Sequence, residues 1–189
     1  MSKLRKFYNF ILASYAKNGQ LGGYVHDTSM SKFIPPNLVH FSTATVTYIA
    51  GQVTGTIVAH RAAADQTSLI TFPIILLSNS VGLKGSLLKS IEVDYEVLVA
   101  EPTSITWTLN KVTRGADTAV AVVAAITTTN AIAAAAAKTV DQHKQIVTIT
   151  TPAWIDNDEY YLLEMAVIAG SGGNTLDILG AVANYTIRK

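Results

Sequence analysis

The most constraining feature of this chain is a strict two-residue alternation of side chains in its middle. Between residues 91 and 99, every odd position is apolar or aromatic, and positions 92, 94 and 96 are all acidic. Successive side chains of a β-strand point to opposite faces, so this pattern predicts a strand with one buried and one wet face. After a break that contains Pro102, the alternation resumes with Ile105, Trp107 and Leu109 on one face. We interpret the two strands as an antiparallel hairpin.

Further segments with strand character are separated by turn residues. They span residues 39–49, 52–60, 68–77, 119–127 and 144–151. Segments 161–167 and 176–187 flank a glycine-rich turn at 169–175, which predicts a second hairpin. Because Pro73 cannot donate a backbone hydrogen bond, its strand is expected to lie at an edge or to contain a bulge.

Residues 128–143 interrupt the strands with a run rich in alanine. Alanine favours helix and Asn130 is a residue type that caps helices, so we predict a helical or irregular excursion here. Eight or nine short strands without βαβ alternation predict an all-β fold, an antiparallel two-sheet sandwich of jelly-roll type. The chain of 189 residues has room for one such domain, which we assign to residues 38–189.

Residues 1–37 are expected to form an N-terminal arm that contains a short amphipathic helix. Its apolar side chains recur at helical spacing and are Leu4, Phe7, Tyr8, Ile11, Leu12 and Tyr15. A helix of about 13 residues has little stability alone, so this face must pack on its own domain, on a neighbouring copy or on a lipid surface. We predict these six residues to be assembly contacts.

The shortage of charge points to an assembly. Charged residues make up 14% of the chain and hydrophobic residues 49%, whereas about a quarter of an ordinary soluble domain is charged. Because monomers rarely expose large apolar patches, we expect neighbouring copies or another partner to cover part of this surface. The alternative is a neutral surface rich in threonine and alanine.

Charge and apolar runs also restrict the other partners. The net charge of +1 gives no general attraction to nucleic acid, and the basic residues Lys3, Arg5 and Lys6 add only a modest, salt-sensitive one. Nucleic acid is therefore not expected as a specific ligand. No apolar run is long enough for a membrane-spanning helix.

No motif for catalysis, cofactor binding or metal binding is present, so we predict a protein that is not an enzyme and has no cofactor. The four histidines are His26, His40, His60 and His143, and no two have the spacing of a local ligand pair. The absence of cysteine excludes thiolate metal sites. The acidic residues 156, 158 and 159 are more simply explained by a turn than by calcium binding.

Two surface features leave binding alternatives open. The acidic residues 92, 94 and 96 line one strand face, where they are either solvated or meet a basic partner. Trp154, Tyr160 and Tyr161 are candidates for a platform that stacks on sugar rings. Trp107 alternates with Ile105 and Leu109, which favours core packing for this side chain.

Several stretches of the second half carry a resemblance to a known group of proteins. They are Leu109–Thr113, His143-Lys144, Thr151–Glu164 and Leu179–Thr186. Over about residues 85–189 the chain resembles small virion structural proteins of bacteriophages and virus-like contigs, which have a β-sandwich fold. The resemblance implies a location in the virion after assembly in the host cytoplasm, with other particle proteins as further partners. It carries no catalytic signature.

The leading hypothesis is therefore a viral or phage particle protein, a capsid, decoration or fibre subunit that acts by self-assembly. The first alternative is a carbohydrate-binding β-sandwich module that uses exposed aromatic side chains. The second is a cellular surface-layer or filament subunit, which would assemble by the same physical interactions.

Overall fold

The computed structural model describes residues 27–42, 46–50, 57–64, 67–77, 85–115, 120–169 and 173–188. The predicted helix of the arm, with Leu4, Phe7, Tyr8, Ile11, Leu12 and Tyr15, lies outside the described residues. The centre of the predicted glycine-rich turn at 169–175 also lies outside them. Both remain predictions.

Twelve strands make up almost all of the regular structure in the described ranges. They are β1 (Asp27–Ile34), β2 (His40–Phe41), β3 (Val46–Ala50), β4 (Ile57–Ala64), β5 (Ser68–Ile74), β6 (Gly85–Val97), β7 (Ser104–Thr113), β8 (Val122–Ile126), β9 (Thr128–Asn130), β10 (Gln142–Ile149), β11 (Glu159–Ile168) and β12 (Asn174–Arg188). Two short 3-10 turns, Pro36–Leu38 and Ala136–Lys138, are the described helical pieces. The all-β class is thus confirmed.

The strands form two antiparallel sheets. The larger sheet has seven strands in the order β3-β4-β12-β6-β10-β9, with β1 paired to β12 as well. The smaller sheet has five strands in the order β2-β5-β11-β7-β8. The long strand β12 is central to the larger sheet, because β6 pairs along one side of it while β4 and β1 share the other. The last part of the span 1–37 therefore supplies a strand, β1, to this sheet.

Both predicted hairpins are wrong. Strands β6 and β7 belong to different sheets, and so do β11 and β12. Strand β6 pairs with β12 and β10, whereas β7 pairs with β11 and β8. An alternating strand buries one face in either arrangement, so the pattern does not reveal whether the next strand turns back or crosses to the opposite sheet. Here both connections cross the gap of about 10 Å between the sheets.

The core lies between the two sheets and is built by the predicted alternation. Odd positions 91 to 97 of β6 are buried, and the acidic positions between them are partly exposed. Across the gap, Ile105 and Leu109 of β7 are buried and Trp107 packs partly against the core, as predicted. The rings of Trp107 and Tyr95 lie 5.7 Å apart and join the two sheets. Each fully buried side chain of this kind contributes about 1.5–3 kcal/mol.

The alanine-rich excursion closes one side of the sandwich. Ala137 is buried, and its carbonyl accepts a hydrogen bond of 2.6 Å from the Tyr95 hydroxyl. The Gln145 side chain accepts from the Ile132 N–H at 2.8 Å and donates to the Ile132 carbonyl at 3.2 Å. The prediction of a helical or irregular segment at 128–143 is confirmed for residues 131–141, whereas its ends lie in β9 and β10. The predicted cap is wrong, because Asn130 lies in β9 and pairs with β10.

Pro73 lies where β5 is open on one side. It pairs with Leu162 of β11, while β2 covers only Ile70 and Thr71 on the other side of β5. In the sheet order β5 lies between β2 and β11, so it is not a terminal strand, but the short β2 leaves it open on one side at Pro73, where a residue without a backbone N–H is tolerated.

Candidate functional site

A partly buried pair of titratable side chains joins β4 to β12. The Nδ1 atom of His60 lies 2.6 Å from an oxygen of Asp177, and the register of the two strands places these residues opposite each other. This pair is not apparent from the sequence, because only the strand pairing brings the two distant residues together. Within the described ranges, no three histidine, aspartate or glutamate residues gather around a possible metal position. The pair therefore acts as a contact between strands.

The acidic side chains of β6 are engaged by neighbouring strands. The Glu92 carboxylate accepts a hydrogen bond of 2.8 Å from the Asn184 side chain on β12. The Lys144 ammonium group on β10 lies 3.7 Å from both Glu92 and Asp94. Exposed ion pairs of this kind contribute at most about 1 kcal/mol. The arrangement is that of a solvated sheet face whose carboxylates contact side chains of β10 and β12.

The acidic segment at 156–159 forms a turn whose carboxylate is already bound. One oxygen of Glu159 lies 2.6 Å from the Lys111 ammonium group. The other accepts the backbone N–H of Asp156 at 3.0 Å. Burial opposes ionisation of Glu159, but Lys111 and the other donors outweigh it and hold the pKa of the carboxyl below its usual range. Both carboxylate oxygens of Glu159 are therefore engaged by groups of the protein itself.

We expect the Glu159→Gln variant to be less stable than the wild type by about 1–2 kcal/mol at neutral pH, because it loses a charge-assisted hydrogen bond. A carboxyl whose folded-state pKa is lowered stabilises the fold above its unfolded pKa, and this contribution disappears as the pH falls through the folded value. The difference between the two proteins should therefore shrink below about pH 4. Urea unfolding as a function of pH measures it. The control Glu101→Gln removes an exposed carboxylate 3.8 Å from Lys138, and a similar loss there would contradict the prediction.

The three candidate sugar-stacking residues do not form an open platform. Tyr161 is only 2% exposed, and its hydroxyl donates to the Ala153 carbonyl at 3.3 Å. Burial raises the pKa of Tyr161 to about 12. Trp154 is half-buried, and the Arg188 guanidinium lies 5.0 Å from the centre of its ring. Tyr161 therefore belongs to the core, and one face of Trp154 carries an arginine.

Large apolar side chains are exposed on several parts of the surface. Those that are 60% exposed or more are Phe33, Ile57, Ile75, Val99, Val120, Val122 and Val123. Phe33 is on β1, Ile57 on β4 and Val122 on β8, so both sheets contribute. Burial of one such side chain in a contact would contribute about 1.5–3 kcal/mol.

The most continuous of these apolar surfaces is the strand β8 with the residues before it. Residues 120–125 are Val-Ala-Val-Val-Ala-Ala, and all six are exposed. Strand β8 ends the smaller sheet and pairs along one side with β7. Neighbouring residues of a strand face opposite ways, yet Val122 and Val123 are both more than 60% exposed. Both faces of this strand therefore lie open at the edge of the sandwich.

Comparison with known proteins gives no family assignment. No family model matches the chain, and no curated protein matches it. One solved structure with a similar fold is described as "Structural basis for the promiscuous specificity of the carbohydrate-binding modules from the beta-sandwich super family". It has 11% sequence identity and a TM-score of 0.44, over 89% of this chain and 59% of the other. A likeness this distant carries no argument about function. Within the described part of the chain, no helix has the length and apolarity needed to span a membrane.

Proposed function

We propose that this protein is a structural subunit of a viral or phage particle and that it acts by packing against copies of itself and other particle proteins. The observation that carries the proposal is the set of large apolar side chains left open on both sheets, on a chain with only 14% charged residues. Scattered single apolar residues are normal on any protein surface. The six consecutive exposed residues at 120–125 are not, and they favour burial between subunits.

The same proposal includes a jelly-roll arrangement of the sandwich. In a jelly roll, the chain passes repeatedly between two antiparallel sheets. The crossings from β6 to β7 and from β11 to β12 have this character, and so does the step from β8 to β9 through Thr127. Capsid proteins are among the proteins built on this architecture.

The proposal further holds that the protein has no catalytic role. The polar side chains that most resemble catalytic or metal-binding groups have structural partners, as His60 has Asp177 and Glu159 has Lys111. The six apolar residues of the arm would add a further contact between subunits, and the particle would assemble in the host cytoplasm.

The test is the mass of the native protein in solution over a range of concentrations. Size-exclusion chromatography with light scattering should give at least twice the monomer mass of 20.1 kDa, and negative-stain micrographs should show regular particles, rings or fibres. A soluble monomer at about 100 μM would contradict the proposal, because a subunit interface with a micromolar Kd is saturated well below that concentration.

The two alternatives are separated by further observations. Extended two-dimensional sheets would favour a surface-layer subunit, whereas fibres are compatible with both a particle fibre and a cellular filament. A carbohydrate-binding module would stay monomeric and bind a glycan array. Among its candidate residues, Trp154 and Tyr160 are half-buried and Tyr161 is in the core, so these three side chains give this alternative little support.

A further inference from the structure

One side of the sandwich has no charged side chain over a long stretch of sequence. Residues 118–137 contain no charged residue, no histidine, no proline and no glycine. The described part of this stretch runs from Val120 through β8 and β9 to the second 3-10 turn. Strand β8 is at the end of the smaller sheet and β9 is at the end of the larger one. The uncharged stretch therefore includes one terminal strand of each sheet, β8 and β9.

The exposed residues of this stretch are almost all valine, alanine and threonine. Besides residues 120–125, the alanines at 131 and 133–136 are exposed. The nearest charge on the adjacent strand β7 is Lys111, which pairs with Ala124 in register and whose ammonium group is bound to Glu159 at 2.6 Å. The residues of β8 themselves therefore bring no charge to this edge.

One edge of the β8 backbone has no strand partner among the described residues. Its five residues pair with β7 on one side, and no described strand pairs with the other. An open edge presents alternating N–H and C=O groups that an added strand satisfies. Proteins protect such edges with charged residues, proline, bulges or short strands, and the segment Val122–Ile126 has none of these except modest length. The sequence is instead suited to pairing.

We propose that β8 pairs with β8 of a second copy across a two-fold axis, which joins two five-stranded sheets into one continuous sheet. This inference rests on the proposed function and names one of its interfaces. An uncharged edge excludes a charged partner, because desolvating a charge without a counter-charge is unfavourable. The second copy brings the same neutral strand. In an antiparallel pair of identical strands, a residue on the axis faces itself, and the register that overlaps all of β8 places Ala124 there.

Three of the other edge strands are less suited to this contact. Strand β2 has two residues, and β9 has three. Strand β1 carries Asp27 and Lys32. Strand β3 is uncharged and five residues long, so pairing of β8 with β3 of another copy is the competing arrangement. That arrangement builds an open chain of subunits or a ring, whereas pairing of β8 with itself closes as a dimer.

A single cysteine at position 124 tests the proposal in a chain that has no cysteine of its own. Residues opposite each other in an antiparallel pair have Cα atoms about 4.5–5.5 Å apart, which lies within the range for a disulfide. Because Ala124 is exposed, its replacement does not disturb the core. The matched control is Val99→Cys, at a position that is 68% exposed and lies outside β8.

Mild oxidation of Ala124→Cys should produce a covalent dimer on a non-reducing gel about tenfold or more faster than Val99→Cys, because pairing raises the local thiol concentration. Cysteines at positions 123 and 125 should react more slowly than the one at 124. If the wild type assembles but Ala124→Cys reacts no faster than the control, the β8 interface is wrong and the proposed function stands. If the wild type is a monomer, the proposed function fails and this interface with it.

Discussion

Replacing Arg61 with methionine should lower the free energy of unfolding by about 3–4 kcal/mol. The Arg61 side chain is 0% exposed, although the residue is charged. Its Nε atom donates to the Ser68 hydroxyl at 2.9 Å, and its Nη1 atom donates to the side-chain and backbone oxygens of Asn174 at 2.6 and 3.1 Å. Methionine fills a similar volume but supplies none of these donors.

The position of Arg61 explains the size of the expected effect. Ser68 begins β5 of the smaller sheet, whereas Asn174 begins β12 of the larger one. The arginine therefore ties the two sheets together from β4. Burial lowers the pKa of Arg61, which reflects the loss of water around its charge. Without the arginine, the buried Ser68 hydroxyl and Asn174 oxygens lose a donor, and the loss of a buried hydrogen bond costs about 1–3 kcal/mol.

Urea unfolding of Arg61→Met, with Arg114→Met as the matched control, measures this contribution. Arg114 is exposed and donates to the Asn157 carbonyl at 3.1 Å, so its replacement should change stability by less than about 0.5 kcal/mol. Arg61→Lys should lie between the two, because lysine keeps the charge without the planar fork of donors. If Arg61→Met lowers the free energy of unfolding no more than Arg114→Met does, the contacts of Arg61 do not stabilise the fold.

Strand positions and the all-β class were predictable from the sequence because alternation reports which residues of a strand are buried. In β6 the pattern identified the four buried odd positions from 91 to 97. It also placed Trp107 with the core residues Ile105 and Leu109. This information is local, since it depends only on the direction of each side chain from its own backbone.

Strand partners were not predictable, because pairing depends on residues far apart in sequence. Strand β6 alternates in the same way whether it pairs with β7 or with β12, and it pairs with β12. The contacts of Arg61 with Ser68 and Asn174, and of His60 with Asp177, arise from the same distant pairings. No local pattern distinguishes Arg61 from a surface arginine.

The β8 interface was partly predictable from the sequence. The sequence predicted a strand at 119–127, and its lack of charge was visible there. That β8 ends the smaller sheet and has both faces open became apparent only from the topology and the exposure of Val122 and Val123. The arm, by contrast, was predicted from local helical spacing, and its six apolar residues await a measurement of their contacts.

Lysine at position 124 should weaken the pairing of β8 strands by about a hundredfold or more. In the proposed register, Ala124 faces its own copy, so Ala124→Lys sets two ammonium groups directly opposite each other on the axis. Like charges placed together at an interface cost several kcal/mol, and each 1.4 kcal/mol is a factor of ten in Kd. Because Ala124 is exposed, the substitution should leave the fold intact. The circular dichroism spectrum should match that of the wild type.

A second variant, Ala124→Glu, tests whether the two β8 strands are related by a two-fold axis. Alone, it should weaken pairing as lysine does. Mixed with Ala124→Lys, it should restore a dimer of one copy of each, because every axis then holds one ammonium group and one carboxylate. Light scattering of the single variants and of the mixture measures both effects, with Val99→Lys as the control for added charge. If each variant dimerises as well as Val99→Lys does, or if the mixture dimerises no better than either variant alone, position 124 does not face itself across a two-fold axis.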